Sequence, residues 1–492
     1  MDKFILAIDA GTTSSRAILF DKNARPIEIA QYEFNQIFPK EGWVEHDPIE
    51  IWNTQFKAIN DVIKSANIDV QNIDSVGITN QRETTVIWNK KTGQPVYNAI
   101  VWQDRRTANF CDDLKNNNKT EFIQNKTGLV IDAYFSGTKI KWILDNHPKI
   151  RLQADDGELL FGTIDTWLIW NLTNGESHIT DPSNASRTLL YNIQEDRWDD
   201  ELISLFNVPK NILPKVVDSS SISAYVDSKI FGFKAPISGI AGDQQAALFG
   251  QLCLNRGDIK NTYGTGCFCV MNTGNKFVKS NNKMLSTIAW RINGELTYAL
   301  EGSIFVAGAL IQWLRDKLGI IKNASEVESL AKTVDNNGGV TFIPALSGLA
   351  APYWDPYAQG AIFGITRGTQ NGHIARAALE SIALRTRDII IEMEKDANIK
   401  FSSLKVDGGA SNNNLLMQIQ SDILDTNVIR PKTTETTALG VAFLAGLATG
   451  FFNDIPSLKK LWVKDRSFKP ILKNNSNQIV GLWSQRINKL LS

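Results

Sequence analysis

Two short turns of glycine and hydroxyl residues, about half the chain apart, constrain this fold more than any other feature of the sequence. The first is GTTSS at residues 11–15, and the second is GTG at residues 264–266. Each lies between two apolar runs of the β type, so each is predicted to join a strand to a returning strand. Glycine allows close approach to the backbone, and successive N–H groups in such a turn bind anions. The pair predicts a nucleotide phosphate tail held between two halves of the molecule.

The first turn also carries side chains of the kind that bind phosphate. Thr12, Thr13 and Ser14 offer hydroxyl donors, and Arg16 can pair with phosphate oxygens. Asp9, at the end of the preceding strand, can hold magnesium through water. From this segment alone, a plain hairpin with a turn rich in serine and threonine is the alternative interpretation. A second site is needed to decide between them.

A third glycine cluster, DGGASNN at residues 407–413, follows a short apolar run and precedes a helical stretch at residues 415–424. Bare backbone beside a helix start suits an adenine ring or an α-phosphate. Three such turns in this order match the actin-like (ribonuclease H-like) ATPase architecture, an α/β fold with ATP and substrate in a cleft between two related domains. The expected domains are residues 1–250, with the first phosphate turn and the acceptor site, and residues 251–492, with the second turn and the adenosine site.

Other nucleotide-binding folds lack their signatures here. The pattern GxxxxGK[ST] of a P-loop is absent, as is the HRD loop of protein kinases. The turn at 264–266 lacks the third glycine of a dinucleotide fingerprint. A length of 492 residues exceeds what one core usually supports, which agrees with two domains.

Charge and composition favour a small-molecule enzyme. The 52 basic residues balance 52 acidic ones, which gives no support for binding to nucleic acid or to an acidic membrane. No secretory signal is expected, and the uncharged stretch at 436–453 is predicted to be a buried helix packed through small residues rather than a membrane insertion. The four cysteines show no disulfide framework and are expected to be buried; the four histidines show no metal-ligand spacing and are expected on the surface or in loops. These features predict a cytoplasmic protein.

Several polar and aromatic residues are predicted to converge near the phosphates. A strand at residues 76–80 delivers Arg82 and Glu83 at its C-terminal end, where ligand crevices of open α/β sheets lie. Arg82 donates and Glu83 accepts, so the pair could bind adjacent hydroxyls, while Trp102 and Phe268 could form a flat apolar wall. Such a pocket suits a small neutral polyol. The alternatives are a surface ion pair for Arg82–Glu83 and ordinary core packing for Trp102.

Longer motifs resemble the FGGY carbohydrate kinase family, and within it the members that phosphorylate glycerol. The matching stretches are residues 9–16, 78–84, 102–106, 239–250, 261–268, 352–355 and 407–413. The resemblance implies transfer of the γ-phosphoryl group of ATP to glycerol, giving sn-glycerol 3-phosphate and ADP, with Mg²⁺ as the cofactor. We also expect a homo-oligomer, either a dimer or a tetramer.

The same resemblance implies the roles of individual residues. The residues expected to contact glycerol are Arg82, Glu83, Trp102, Tyr134, Asp243, Gln244 and Phe268. The residues expected to contact the nucleotide are Thr12, Thr13, Ser14, Arg16, Thr265, Gly308, Gln312, Gly409 and Asn413. Asp9 would help to hold magnesium, and Asp243 would be the catalytic base; the alternative for Asp243 is a cap on the helix that begins near Gln244.

Two rival functions stay open at this point. A kinase for a ketose or a sugar acid would keep the phosphate turns but has no need of Arg82 and Glu83 together with Trp102 and Phe268. An actin-like or chaperone-like ATPase would use the nucleotide to change shape or polymerise, and gives no reason for GDQ at residues 242–244.

Overall fold

The structure, a computed structural model, describes residues 2–355, 357–471 and 473–492. The elements of the first half are β1 (Phe4–Ala10), β2 (Ser14–Phe20), β3 (Pro26–Glu33), β4 (Glu45–His46), α1 (Pro48–Ala66), β5 (Ile73–Asn80), β6 (Val86–Asn89), β7 (Ala99–Ile100), α2 (Ala108–Asn116), α3 (Thr120–Thr127), α4 (Ser136–Asn146), α5 (Pro148–Asp155), β8 (Leu159–Gly162), α6 (Ile164–Leu172), β9 (Ile179–Thr180), α7 (Pro182–Ala185), β10 (Tyr191–Asn192), β11 (Arg197–Trp198), α8 (Asp200–Leu205), β12 (Lys215–Val216), β13 (Ser220–Tyr225), α9 (Ser228–Phe231), β14 (Pro236–Gly242) and α10 (Asp243–Gly250).

The elements of the second half are β15 (Ile259–Tyr263), β16 (Cys267–Gly274), β17 (Leu285–Ile292), β18 (Glu295–Ile304), α11 (Gly308–Asp316), α12 (Glu326–Ala331), β19 (Thr341–Ile343), β20 (Ala361–Phe363), α13 (Asn371–Ala397), β21 (Ser403–Asp407), α14 (Asn414–Leu424), β22 (Asn427–Pro431), α15 (Thr436–Thr449), α16 (Ile455–Leu461), β23 (Lys464–Phe468) and α17 (Lys473–Leu491). Short 3₁₀ turns lie at Val70–Asn72, Lys210–Ile212 and Gly409–Asn412.

The same strand arrangement occurs once in each half. Strand β1 pairs antiparallel with β2 and parallel with β5, which pairs parallel with β14. Strand β15 pairs antiparallel with β16 and parallel with β21, which pairs parallel with β22. The two units share one sheet of 13 strands, in the order β23-β22-β21-β15-β16-β18-β17-β13-β14-β5-β1-β2-β3. This duplication confirms the predicted α/β fold with two actin-like halves.

The register of the parallel strands brings the predicted site residues to one edge of the sheet. Asp9 on β1 lies opposite Thr79 on β5, and Thr79 lies opposite Ala241 on β14. The three strands therefore end side by side, and the segments that follow β5 and β14 leave the sheet next to Asp9. In the second half, Thr262 on β15 lies opposite Asp407 on β21, so the second and third glycine turns also start from neighbouring strand ends.

Helices α10 and α15 cross at direct backbone contact. A Cβ atom on Gly440 would lie 1.8 Å from the carbonyl oxygen of Ala246, and one on Gly250 would lie 2.0 Å from that of Thr436. Glycine is required because no side chain fits between the two backbones. The stretch from residue 436 is thus the buried helix with small residues that the sequence predicts. None of the helices in the described ranges is both long and apolar enough to cross a bilayer.

Most other local predictions agree with the structure. The strand predicted at 76–80 is part of β5, the helix predicted at 415–424 is α14, and the four cysteines are free and buried. The expectation for the histidines was wrong at His46, which is fully buried. Its Nε2 lies 2.8 Å from Oε1 of Gln36, and burial lowers the pKa of its ring to about 4. A polar partner at a buried position allowed a neutral imidazole to enter the core.

Candidate active site

The first glycine turn is closed by its own backbone and braced from both halves of the chain. The N–H of Gly11 donates to the carbonyl of Ser14 at 2.9 Å. Arg16 binds Asp9 (Nη2 to Oδ2, 2.5 Å) and also Glu435 (Nη1 to Oε2, 2.8 Å), which directly precedes α15. The attraction of Asp9, followed by that of Glu435, raises the pKa of the Arg16 guanidinium, although burial opposes this. Arg16 is therefore held in place between the two halves.

The hydroxyl groups of this turn have different surroundings. Thr13 is exposed, whereas Ser14 is buried and its Oγ accepts from Gln31 Nε2 at 2.9 Å. Thr12 Oγ1 accepts a hydrogen bond from Trp102 Nε1 at 3.0 Å. Thr12, which is predicted to contact the nucleotide, is thus hydrogen-bonded to Trp102, which is predicted to contact the acceptor. The hydrogen of the Thr12 hydroxyl remains free to donate to another group.

The second turn contacts the start of helix α11. Gly264 N–H donates to the carbonyl of Gly266 at 2.9 Å, and Gly308 N–H donates back to Gly264 at 3.0 Å. A Cβ on Gly308 would lie 2.5 Å from the Gly264 oxygen, so the close approach requires glycine there. Thr265 and Gln312, one turn further along α11, are both exposed. Three of the residues predicted to contact the nucleotide, Thr265, Gly308 and Gln312, therefore lie around the second turn and the start of α11.

The third glycine turn packs against strand β15, which leads into the second glycine turn. Gly408 has φ of +81°, and a Cβ there would lie 2.6 Å from the carbonyl oxygen of Tyr263. A Cβ on Gly409 would meet nothing within 4 Å, so this residue faces open space. Asn413 caps α14, since its Oδ1 accepts from the N–H of Leu416 at 2.9 Å. Gly409 and Asn413 thus present backbone and a helix start next to the second turn.

Asp243 is anchored through one oxygen and open at the other. Its Oδ1 forms an ion pair with Arg82 Nε at 3.0 Å and accepts a hydrogen bond from the N–H of Gln244 at 2.7 Å. No described residue bonds to Oδ2, and 31% of the side chain is exposed. Burial raises the pKa of this carboxyl, and Arg82 counteracts part of that rise. Asp243 is the first residue of α10, whose N-cap position is occupied by Gly242, so Asp243 is not the N-cap residue of this helix.

Arg82 and Glu83 belong to a buried network with two residues that sequence reasoning missed. Glu301 on β18 accepts from Arg82 Nη1 and Nη2 at 2.5 and 3.0 Å, and from Arg187 Nη2 at 3.1 Å. Arg187 Nε also donates to Glu83 Oε1 at 2.5 Å. All four side chains are at most 3% exposed, so the surface ion pair considered for Arg82–Glu83 was wrong. Two guanidinium groups and two carboxylates balance their charges within the core.

The balance is visible in the pKa values of the two glutamates. Burial alone would raise the pKa of Glu301, but Arg187 and Arg82 outweigh it and lower the pKa to about 2. For Glu83, burial is the larger effect and raises the pKa, despite attraction from Arg187 and Arg82. Glu301 is therefore the anionic centre of the network.

Three aromatic rings that the sequence predicts for the acceptor lie in contact with one another. The ring of Trp102 lies 5.6 Å from that of Tyr134 and 6.3 Å from that of Phe268, both in edge contacts. The Arg187 guanidinium lies 5.2 Å from the Tyr134 ring centroid. Trp102 and Phe268 are only half-buried, so each ring packs against its neighbours on one side and presents an exposed apolar surface on the other. Since Phe268 lies on β16 and Trp102 in the first half, both halves contribute to this apolar surface.

A buried lysine completes the site and was also missed. Lys260 on β15 is fully buried, and its Nζ donates to Gln244 Oε1 at 2.6 Å and to Thr262 Oγ1 at 2.7 Å. One signal was available for both Lys260 and Glu301: a charged residue with uncharged neighbours on both sides inside a predicted strand, which must find a polar partner when buried.

Comparisons with known proteins agree with this geometry. The N-terminal domain of the FGGY family of carbohydrate kinases matches residues 4–250, and its C-terminal domain matches residues 259–449. Glycerol kinase 2 of Thermotoga maritima is 56% identical over 490 residues, which cover 99% of both chains. Glycerol kinase of Dichelobacter nodosus is 59% identical over 489 residues, which cover 99% of this chain and 98% of that one.

A solved structure is similar over the same length. Plasmodium falciparum glycerol kinase with ADP has a TM-score of 0.94 and 37% sequence identity, covering 100% of this chain and 99% of that chain. With both domains matched in order and the relatives aligned end to end, this chain belongs to the FGGY family of carbohydrate kinases.

Proposed function

We propose that this chain transfers the γ-phosphoryl group of ATP to glycerol, producing sn-glycerol 3-phosphate and ADP. The observation that carries the proposal is the arrangement of Asp243, whose Oδ1 is held by Arg82 while no described residue bonds to Oδ2. The relatives of the same length named glycerol kinase support glycerol as the acceptor.

Asp243 acts as the general base. Because Oδ1 already pairs with Arg82 and accepts from the N–H of Gln244, Oδ2 is the oxygen that accepts the proton of the glycerol hydroxyl as that hydroxyl attacks phosphorus. Phosphoryl transfer passes through a loose transition state, so the protein contributes mainly by aligning donor and acceptor and neutralising oxygen charge.

The other acceptor residues fix the polyol. Trp102, Tyr134 and Phe268 contact its carbon chain and keep water away. Glu83 uses Oε1 for Arg187, and no described residue bonds to its Oε2, which can therefore accept from a second glycerol hydroxyl. Arg82 holds Asp243, and one N–H of its Nη2 group, which no described residue accepts, can donate to the substrate.

ATP is bound by the three glycine turns. Thr12, Thr13, Ser14 and Arg16 hold the phosphates from the first half. Thr265, Gly308, Gln312, Gly409 and Asn413 hold the nucleotide from the second half. The residues 1–250 and 251–492 form the two domains that enclose it.

The residues at the end of β1 fit a magnesium ion bound together with ATP. Asp9 is 3% exposed, Arg16 bonds only its Oδ2, and no described residue bonds to Oδ1. The described residues contain no group of three ligands for a resident metal, and magnesium bound through phosphates and water needs only one or two carboxylates. When bound, magnesium would neutralise charge on the phosphate groups during the transfer. Asp9 would hold its water shell.

Cellular location and assembly form a separate part of the proposal. The free, buried cysteines agree with a reducing cytoplasm, and we expect a homo-oligomer, a dimer or a tetramer. Sedimentation of the purified protein measures the oligomeric state. A monomer at all concentrations would contradict the expected homo-oligomer.

A coupled assay of ADP release tests the proposed reaction. The purified chain is supplied with ATP, magnesium and each of a panel of polyols, ketoses and sugar acids. We expect glycerol to give the highest kcat/KM, and release without acceptor to be minor because the site excludes water. A higher kcat/KM for a ketose or a sugar acid would assign the chain to another branch of the family.

A further inference from the structure

Lys260 is a charged residue in a place where charge is costly. Its side chain is fully buried in strand β15, and no carboxylate in the described parts of the chain lies within the 4.0 Å of an ion pair. Burial lowers the pKa of its ammonium, while Asp407, Asp243 and Glu301 act against that effect from a greater distance. A buried ammonium without an ion-pair partner is destabilising, so its presence calls for a role in the site.

The contacts of Lys260 suggest that role. Its Nζ lies 2.6 Å from Oε1 of Gln244 on helix α10 and 2.7 Å from Oγ1 of Thr262. An ammonium group can only donate hydrogen bonds. The group of Gln244 that faces Lys260 must therefore be the amide oxygen. The Nε2 group of the same amide must then point away from Lys260.

The orientation of Gln244 matters because of its neighbour. Gln244 directly follows Asp243, and its own N–H donates to Asp243 Oδ1 at 2.7 Å. No acceptor among the described residues bonds to Gln244 Nε2. We propose that Lys260 is a positioning residue, which fixes the Gln244 amide so that its N–H group, never its oxygen, meets the acceptor substrate beside the catalytic carboxylate. This rests on the proposed function only in taking the pocket beside Asp243 as the acceptor site.

The proposal has a chemical consequence for the acceptor. Asp243 Oδ2 and Glu83 Oε2 can only accept when ionised, so they need hydroxyl hydrogens, whereas the Gln244 N–H needs a hydroxyl oxygen. A hydroxyl meets both demands at once, because it donates to the carboxylate and accepts from the amide. The lysine thus makes the pocket complementary to a hydroxyl group and unfavourable for a group that only donates, such as an ammonium.

The substitution Lys260→Met tests the idea with a side chain of similar length that has no donor. Loss of a hydrogen bond to a charged group corresponds to roughly a 10- to 100-fold effect, and we expect it as a rise in the glycerol KM while the ATP KM stays unchanged. Thermal stability should be retained, because an unpaired buried charge is removed. The wild-type chain is assayed first. If it prefers another polyol to glycerol, the glycerol assignment has failed, and the KM of Lys260→Met is then measured with that polyol instead.

A double-mutant cycle separates positioning from a direct effect on the phosphoryl group. If Lys260 acts through Gln244, Lys260→Met should change little further in a Gln244→Ala background. Equal losses in both backgrounds, confined to kcat, would overturn the proposal. Lys405→Met is the matched control: Lys405 is the cross-strand neighbour of Lys260 on β21, but its Nζ donates to the backbone carbonyl of Gln251 at 2.6 Å. This control should leave the glycerol KM unchanged.

A second variant keeps the test valid if Lys260→Met does not fold. Gln244→Glu retains an acceptor for Lys260 and forms an ion pair with it, but the carboxylate has no N–H for the substrate. We expect a folded protein with a glycerol KM raised as in Gln244→Ala. A wild-type KM for Gln244→Glu would show that no donor is needed at this position and would overturn the proposal.

Discussion

Glu301 and Arg82 form a two-pronged ion pair between the halves of the chain, with Oε2 to Nη1 at 2.5 Å and Oε1 to Nη2 at 3.0 Å. Glu301 lies on β18 of the second half, and Arg82 follows β5 of the first. Because Arg82 also holds Asp243, the position of the carboxylate that we propose as the general base depends on a residue that enters the sheet more than two hundred positions later in the sequence.

Replacing Glu301 should therefore cost stability before it affects chemistry. Glu301→Gln keeps the shape but leaves Arg82 and Arg187 with one carboxylate fewer, and breaking a buried pair costs about 3–5 kcal/mol. We expect a clear fall in the thermal unfolding midpoint. Glu295→Gln is the control, since Glu295 lies exposed at the start of the same strand. Equal midpoints for both variants would mean that the buried network adds nothing to folding.

Asp243→Asn should abolish most of the turnover in a folded protein. Asparagine keeps the size and most hydrogen bonds of Asp243 but cannot accept the hydroxyl proton, so kcat should fall by about 10²- to 10⁴-fold. ADP affinity, measured by calorimetry, should change little. The capping alternative is tested with Asp227→Asn, since Asp227 caps α9 by accepting from Lys229 N–H at 2.8 Å. Near-normal turnover of folded Asp243→Asn would remove Asp243 from the chemistry.

The pH dependence of kcat/KM should show an acidic limb that Asp243 controls. Burial raises the pKa of its carboxyl above the ordinary 3.8, and a base must be ionised to work. Activity is thus lost as pH falls through that raised pKa, so the acidic limb of the kcat/KM profile lies above pH 3.8. Folding responds at lower pH: the depressed pKa of Glu301 stabilises the protein above pH 4.5, and this contribution disappears as pH falls towards 2. Circular dichroism over the same range distinguishes the two, and a limb that coincides with unfolding would contradict the assignment.

Arg82→Ala should weaken glycerol use far more than ATP use. Loss of charge-assisted hydrogen bonds in a dry pocket costs roughly 1.5–3 kcal/mol, or about one to two decades in kcat/KM for glycerol. The variant also leaves Glu301 short of a partner, so its unfolding midpoint should fall. Arg82→Lys restores the charge but not the two-pronged pair with Glu301. It should recover stability more than activity; full recovery of both would show that the guanidinium geometry is unimportant.

The crossing of α10 and α15 should tolerate no added atom. In Gly440→Ala the new Cβ would lie 1.8 Å from the Ala246 carbonyl oxygen, so the helices must separate. We expect destabilisation of about 1–3 kcal/mol or more, as for other overpacked cores. Gly481→Ala in α17 is the control, because a Cβ there meets nothing within 4 Å. It should leave the unfolding midpoint unchanged or raised, and equal effects of the two would exclude a steric cause.

The sequence predicted the parts of this site that depend on local pattern. Glycine turns between apolar runs indicated the strand-turn-strand units, and the end of β5 located Arg82 and Glu83. The partners of these residues could not be predicted in the same way. Arg187 lies in a loop after α7 and Glu301 within a strand, and contacts between segments far apart in the sequence bring them into the network of Arg82 and Glu83. His46 illustrates the same limit, because its burial depends on a glutamine partner from another segment.

The hydrogen bond from Trp102 Nε1 to Thr12 Oγ1, at 3.0 Å, joins the wall of the polyol pocket to the first phosphate turn. In the proposed complex, one hydroxyl oxygen thus belongs to the surroundings of both substrates, and its hydrogen orients away from the indole. Such a shared group makes the two binding free energies interdependent, and thermodynamic linkage requires the dependence to be equal in both directions. By whatever factor bound polyol alters the affinity for nucleotide through this bond, bound nucleotide alters the affinity for polyol by the same factor.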